Sequence, residues 1–514
     1  MFKKLSTFSG ATLLSRVLGL VRDILFFSVF GASVFGEAFL LAFTFPNLFR
    51  RMLGEGTLTS ALIPIYTSCL EKTDQRHAYV LLNQVFTRLV FFLGFLVLLI
   101  CGISLVCFFL EIFSDSKWGL AMVYNSITFG YVILICSSAI LVGVLNVHGF
   151  FFEGAISPVI LNLCMLGALI LSFSEITCTQ HTFALYLCGS VLLAGALQLW
   201  LPWSKLVKVT SWRWVPTMEK SQEFISLSKL FWVGALGAAV TQVNVLVSRF
   251  LAFSLDEEGS LSFLYISARL VELPLGLFAV AVSTVIFPLL SKASVKKNNA
   301  EFEEYFFKGV RLIAAITIPA AVGLSLLAEP ILMLIFKWNE FSHSNVMKAA
   351  SVLQVAAFTI PIYALSQFLV KAHHSQKNMK VPLYAAIFSL ISNAFLSVVF
   401  MNLYGVVGLA WANLLSAVCQ SCFLIKNISF LRLKNCFSRE KLALHIILMG
   451  SLAVLFVVQS SHSFFDFNTG KLFVLLTLSL IILVSVFLYL LLLFVMKFPE
   501  SRELLGKSSN HFSQ

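Results

Sequence analysis

SRVLGLVRDILFFSVFGASVFGEAFLLAFTFPNLFRRMLGEGTLTSALIPIY, residues 15–66, decides how the rest of the chain is read. Its apolar density is that of a membrane span, yet it carries Arg16, Arg22, Asp23, Glu37, Arg50, Arg51 and Glu55. An ionisable group at the centre of the hydrocarbon costs roughly 2.5–3.5 kcal/mol on insertion scales, so it persists only where it faces protein, water or a charged ligand. Such groups in two consecutive apolar segments predict a polar cavity inside a helix bundle.

Composition agrees. The 514 residues are 59% hydrophobic and only 12% charged, whereas soluble domains run near 45–50% apolar and about 25% charged. The fold class that follows is an all-α polytopic membrane protein. The start, MFKKLSTFSGATLLSR, has the positive flank of a signal peptide, but its apolar continuation holds Arg16, Arg22 and Asp23 and ends in no small-residue cleavage site. It reads as a first membrane helix that is retained. The ten cysteines are scattered, mostly within apolar runs, with no metal-ligand spacing, which predicts reduced, packing thiols.

Working outward, apolar runs of about 20 residues predict roughly 14 transmembrane helices. Six lie in residues 1–204 and six in 224–426, with a basic, Trp-containing cytoplasmic linker at 205–223 between the two lobes. Residues 427–514 add two more, near Leu442–Gln459 and Leu472–Val495, and a tail. With the N-terminus in the cytoplasm, nearly all loop lysines and arginines fall on the cytoplasmic side, and the opposite side holds only Lys117, Lys337, Lys348 and Lys471. That bias follows the positive-inside rule and places both termini in the cytoplasm. The net charge of +12 is therefore a topology signal and does not indicate a nucleic-acid partner.

The basic residues left inside the spans are Arg16, Arg22, Arg50, Arg51, Arg88, Arg249 and Arg269, with no lysine among them. Arginine stays charged at any relevant pH and offers a planar fork that fits phosphate or carboxylate, whereas a proton relay would use Asp, Glu, His or a tunable Lys. The pattern predicts an anionic ligand. Arg16 and Asp23 are seven residues apart on one helix face, and Asp23 is placed to hold one of the neighbouring arginines. Pro46-Asn47 and Gly54-Glu55-Gly56 interrupt the second span, as expected of a helix lining a wet cavity. Arg51 and Glu55, at i and i+4, are expected to pair, leaving Arg50 as the ligand. Glu37 lies near the outer end of its span, either in the site or as a surface carboxylate. Arg269 and Glu272, followed by Pro274 and Gly276, repeat the design of charge, countercharge and helix breaker. Arg88 and Arg249 fall nearer the interfaces and read as structural. His373-His374 reads as a solvated turn in a basic loop. Catalytic motifs are missing from the sequence: no phosphate loop, no nucleophile elbow and no HExxH are present.

The segments SRVLGLVRD, FPNLFRRMLGEGTLTSALIPIY and ARLVELPLGLFAVAVSTVIFPLLS closely resemble the MurJ (MviN) family of lipid II flippases, within the multidrug/oligosaccharidyl-lipid/polysaccharide exporter superfamily. The resemblance implies two six-helix lobes in a V around a central cavity, with the last two helices adding a groove for a lipid tail. It implies as substrate lipid II, undecaprenyl-diphosphate-linked GlcNAc–MurNAc-pentapeptide, moved across the bacterial inner membrane for cell-wall synthesis. Membrane lipids and cell-wall synthesis enzymes are the implied partners, and no cofactor or catalytic residue is implied. Arg16, Arg22, Arg50 and Arg269 match the family's cavity arginines, with Asp23, Glu37, Arg51, Glu55 and Glu272 in supporting or gating places. Ala268 stands where relatives often carry Asp. Some relatives bind sodium through acidic groups in the second lobe; the corresponding spans here hold Asn244 and Asn393, and sodium coupling is unsupported. Two rival readings remain: a cation-coupled drug exporter, or an exporter of another polyprenyl-diphosphate oligosaccharide, on the same fold; and a scaffold that recruits cell-wall enzymes.

Overall fold

The computed structural model describes residues 2–72, 74–113, 116–171, 179–276, 280–428, 433–461, 465 and 470–500; the side chains of 2–9, 54–56, 233, 236, 280–281 and 433–440 fall outside the described set. All of its regular structure is helical among these residues. The chain divides into two units, Met1–Leu261 with Trp338–Phe341, and Ser262–Lys337 with Ser342–Gln514.

The first unit holds α1 (Phe2–Phe30), α2 (Val34–Phe49), a π-helical segment (Arg50–Thr57), α3 (Leu58–Lys72), α4 (Gln75–Phe109), α5 (Lys117–Thr128), α6 (Tyr131–Val147), α7 (Phe152–Leu171), α8 (Gln180–Val209) and α9 (Gln222–Ser254). Helix α10 (Ser260–Pro274) begins at the unit boundary. The second unit continues with α11 (Val280–Val295), α12 (Asn299–Leu326), α13 (Ala328–Phe336), α14 (His343–Ala357), α15 (Thr359–Ser375), α16 (Lys380–Lys426), α17 (Leu433–Ser460) and α18 (Lys471–Val495).

Among the described residues, nine helices are long and apolar enough to cross a membrane, or ten if the bent pair Gln222–Trp232 and Gly237–Ser254 is one span. The difference from the fourteen expected falls on identifiable elements. Helix α1 carries too many charges, α2, α3, α10 and α11 are each too short alone, and α16 counts once although it is 47 residues long. A straight helix of that length would measure about 70 Å, more than twice the hydrocarbon thickness of about 30 Å. Gly405, at φ +58°, breaks it into two arms. A Cβ on Gly408 would lie 2.0 Å from Phe400 O, so the chain beside the break tolerates no side chain there.

Prolines inside membrane helices leave carbonyls without their N–H partner, and neighbouring helices must answer them. Pro202 in α8 orphans the carbonyl of Gln198, and the Ser138 hydroxyl of α6 donates to it at 2.6 Å. The Gln198 amide then donates to Ser157 O of α7 at 2.6 Å. One buried polar thread ties three helices.

The linker is a strap fixed to α4. Asn83, Gln84, Thr87 and Arg88 recur at the spacing of one helix face. Asn83 Oδ1 accepts from Trp212 Nε1 at 2.9 Å, and Thr87 Oγ1 accepts from Trp214 Nε1 at 3.1 Å. The hydroxyl of Ser221 donates to Gln84 Oε1 at 3.0 Å. Arg88 Nη2 donates to Met218 O and Glu219 O at 2.5 Å each, and its guanidinium lies 4.1 Å from the centroid of Phe224. Arg88 is thus a structural staple. Removing it leaves two carbonyls without their donor and forfeits a cation–π contact of about 0.5–1 kcal/mol. Arg88→Ala is expected to loosen the strap, so that trypsin cuts after Arg213 and Lys220 several-fold faster than in wild type; limited proteolysis of the purified protein checks this.

In the second unit, α17 and α18 dock on α12. Tyr489 OH donates to Ala315 O at 2.6 Å, and Gly450 makes room for that ring: a Cβ there would lie 2.7 Å from it. Arg311 holds the buried Glu500 through Nε at 2.8 Å and Nη2 at 2.5 Å. Lys471 Nζ donates to Lys337 O, the C-cap of α13, at 2.6 Å, a favourable place for a cation at a helix C-terminus. His373 does not sit in a solvated turn. It is fully buried, with Nε2 on Leu424 O at 3.0 Å, because the end of α15 packs inside the unit against α16.

Candidate anion-binding site

The charged residues of α1 separate into two classes. Arg22 and Asp23 are buried, and Arg22 gives Asp23 Oδ1 two bonds, from Nη2 at 2.6 Å and Nε at 3.1 Å. The expectation that Asp23 would hold a neighbouring arginine resolves to Arg22. Arg22 Nη1 donates to Asn162 Oδ1 of α7 at 3.0 Å, and Asn162 Nδ2 donates to Ser15 O at 3.0 Å. Asn162 was passed over in the sequence reading, although a lone amide in SPVILNLCML is the kind of intramembrane polar group that asks for a partner. Arg16 is exposed on α1, one residue beyond the carbonyl that Asn162 grips.

At the other end of α2, the irregularity predicted from Pro46 and the glycines is a π-helical segment. Asn47 Nδ2 donates to Phe43 O at 3.0 Å, and Thr57 Oγ1 donates to Met52 O at 2.5 Å, five residues back. Such π turns recur at functional sites. They also change which side chains are neighbours, since the i,i+4 stacking of an α-helix is lost. Arg51 is exposed, Arg50 is half-buried on the segment that packs on α6, and the Glu55 side chain lies outside the described residues, so the expected Arg51–Glu55 pair has no description.

Glu37 is not a surface carboxylate. It is 1% exposed, and Oε1 accepts the N–H of Leu261, at the start of α10, at 2.6 Å. Glu258 Oε1 in turn accepts the N–H of Val34, at the start of α2, at 3.1 Å. The N-terminus of α10 is therefore met by a carboxylate from the first turn of α2, and that of α2 by one from the approach to α10, the favourable sign at the positive end of a helix. Nearby, Arg249 Nη1 donates to the buried Thr44 hydroxyl at 2.8 Å, and the Lys117 ammonium donates to Leu255 O. Gly31, at φ +58°, lets the α1–α2 turn approach Glu340 O, which a Cβ would meet at 2.6 Å. In the second unit, Arg269 and Glu272 form the expected i,i+3 pair at 3.6 Å, with side chains 34% and 53% exposed. A pair so open to its surroundings binds its partner weakly.

Within the first unit, then, α1 and the π segment carry an exposed Arg16, an exposed Arg51 and a half-buried Arg50, and α10 carries Arg269 in the second. Chemically this is a set of permanent cations. The model of the family described as lipid II flippase MurJ matches residues 26–501. The chain belongs to the MurJ family of lipid II flippases. Among MurJ relatives, a probable lipid II flippase MurJ of Bdellovibrio bacteriovorus is 33% identical over 432 residues, covering 81% of this chain and 80% of that protein. The probable lipid II flippase MurJ of Thermotoga maritima is 30% identical over 517 residues, 99% of each. A solved lipid II flippase MurJ in an inward closed conformation superposes with a TM-score of 0.76 at 26% identity, covering 97% of this chain and 99% of that one. An inward-facing multidrug resistance MATE family transporter of the MOP superfamily shares the fold, with a TM-score of 0.64 at 14% identity over 81% of this chain and 94% of that one. MurJ is a family of transporters, and the chain is a multi-pass membrane protein of that family.

Proposed function

We propose that this protein carries lipid II from the inner to the outer leaflet of the bacterial cytoplasmic membrane, as a step of peptidoglycan biosynthesis, with both termini in the cytoplasm. Its substrate is undecaprenyl-diphosphate-MurNAc-pentapeptide-GlcNAc, a head group with a diphosphate and peptide carboxylates. The observation that carries the reading is the all-arginine set on α1, the π segment and α10 in a chain that matches the lipid II flippase family over most of its length. Arg16, Arg22, Arg50 and Arg269 bind the anionic head group, with Asp23, Glu37, Arg51, Glu55 and Glu272 supporting or gating.

Alternating exposure of this arginine set to the two leaflets moves the head group, while the tail stays in lipid beside the apolar faces of α17 and α18. Residues 1–204 and 224–426 form the two moving lobes, and cell-wall synthesis enzymes receive the product. The unloaded arginines carry net positive charge, and the membrane potential, worth about 2.3 kcal/mol per charge per 100 mV, favours their return to the cytoplasmic side. In proteoliposomes, flipping of fluorescent lipid II is expected to fall when the potential is collapsed. Unchanged flipping would remove the potential from the mechanism and leave the substrate assignment standing.

A further inference from the structure

We propose that Asn162 is a positioning residue for the anionic head group, acting through the Arg22 guanidinium and through the α1 backbone at Ser15. The inference rests on the reading that the arginines of α1 hold a diphosphate. Asn162 has two hands, an acceptor and a donor, and both are spent on α1. Its Oδ1 takes Arg22 Nη1 at 3.0 Å, and its Nδ2 donates to Ser15 O at 3.0 Å. Those two points on α1 are seven residues apart, about two turns on one face, with Arg16 immediately following the first. The amide is 5% exposed, in a helix whose neighbouring residues are apolar, so its two bonds face no competition from water.

The arrangement divides labour within Arg22. Asp23 Oδ1 takes Nε and Nη2 and provides the charge balance. Asn162 takes Nη1 with a neutral oxygen, which fixes the plane of the guanidinium without cancelling any of its charge. A second carboxylate in the same place would bind Arg22 more strongly and leave a negative pair facing the ligand. The other hand sets the backbone that carries Arg16. An anion approaching α1 therefore meets the exposed Arg16 on a backbone pinned beside the buried, in-plane Arg22. Pre-set donors give up less freedom on binding.

Three forms of the full-length protein test this: wild type, Asn162→Ala, and the isosteric Asn162→Asp, which keeps the acceptor for Arg22, loses the donor to Ser15 O and adds a charge. Each is measured for binding of lipid II and of a neutral-headed polyprenol, and for its melting temperature in the same detergent. The expected result is that both variants lose lipid II affinity about tenfold and keep polyprenol binding, with the deficit of Asn162→Asp larger at low ionic strength. A purely structural amide would instead lower the melting temperature and both affinities together, and that outcome overturns the inference, as does lipid II binding within twofold of wild type in both variants. Should Asn162→Ala not fold, Asn162→Asp, which preserves shape and volume, carries the test. If wild type itself does not prefer lipid II over the polyprenol, the parent reading of the arginines fails, which is distinct from failure at Asn162 alone.

Discussion

Glu37→Ala is expected to lower the melting temperature of the purified protein more than replacement of any exposed charge, with Glu37→Gln falling between it and wild type. The carboxylate is 1% exposed and accepts the Leu261 N–H at 2.6 Å. Truncation leaves a buried N–H unmet, at a cost of about 1–3 kcal/mol. It also removes a negative group from a helix N-terminus, worth up to about 2 kcal/mol in partly buried geometry. Glutamine keeps an acceptor oxygen and loses only the charge, which fixes the order of the three. The same argument sets Arg51→Ala apart: that side chain is exposed, and its removal leaves the melting temperature near wild type. Melting curves of the four proteins in one detergent decide it. Equal melting of Glu37→Ala and wild type would mean that the Glu37–Leu261 bond contributes nothing to the folded state.

How much of this was legible in the sequence differs residue by residue. The helical class, the membrane setting and the arginine pattern follow from composition and from charges sitting in apolar runs, because hydrocarbon penalises such groups wherever the chain goes. The Arg269–Glu272 pair was readable for the same local reason: i,i+3 residues on a helix meet. What distance in the chain conceals was not readable. The partner of Glu37 is 224 residues away, and that of Asn162 is 147. Nothing in a local pattern says that a glutamate near a span's end will be buried under another helix's first turn. The Arg51–Glu55 expectation used α-helical spacing where the backbone is π-helical, and the Glu55 side chain lies outside the described residues. His373 looked solvated because its neighbours are basic and polar, yet the chain turns it inward onto Leu424 O. The α4 row Asn83, Gln84, Thr87 and Arg88 could have been found: four polar side chains on one face of an apolar helix announce a polar partner, which is the strap.

The second large effect is on ligand binding. Arg16→Ala removes an exposed cation and Arg269→Ala a partly exposed one, and neither is fully buried. Folding is expected to survive while affinity for an anionic head group falls. Charge-assisted hydrogen bonds to a diphosphate are among the stronger polar contacts available. A tenfold loss for each single variant corresponds to about 1.4 kcal/mol. Because the two arginines lie on different helices, α1 and α10, the losses are expected to add in the double variant, to roughly a hundredfold.

The most direct measurement is lipid II binding by native mass spectrometry to wild type, Arg16→Ala and Arg269→Ala, with a neutral-headed polyprenol and a cationic dye as competitors. The account predicts that wild type holds lipid II against both competitors and that each alanine variant loses it about tenfold while melting like wild type. Lipid II binding that is indifferent to both arginines, or a wild-type preference for the cationic dye, would contradict it.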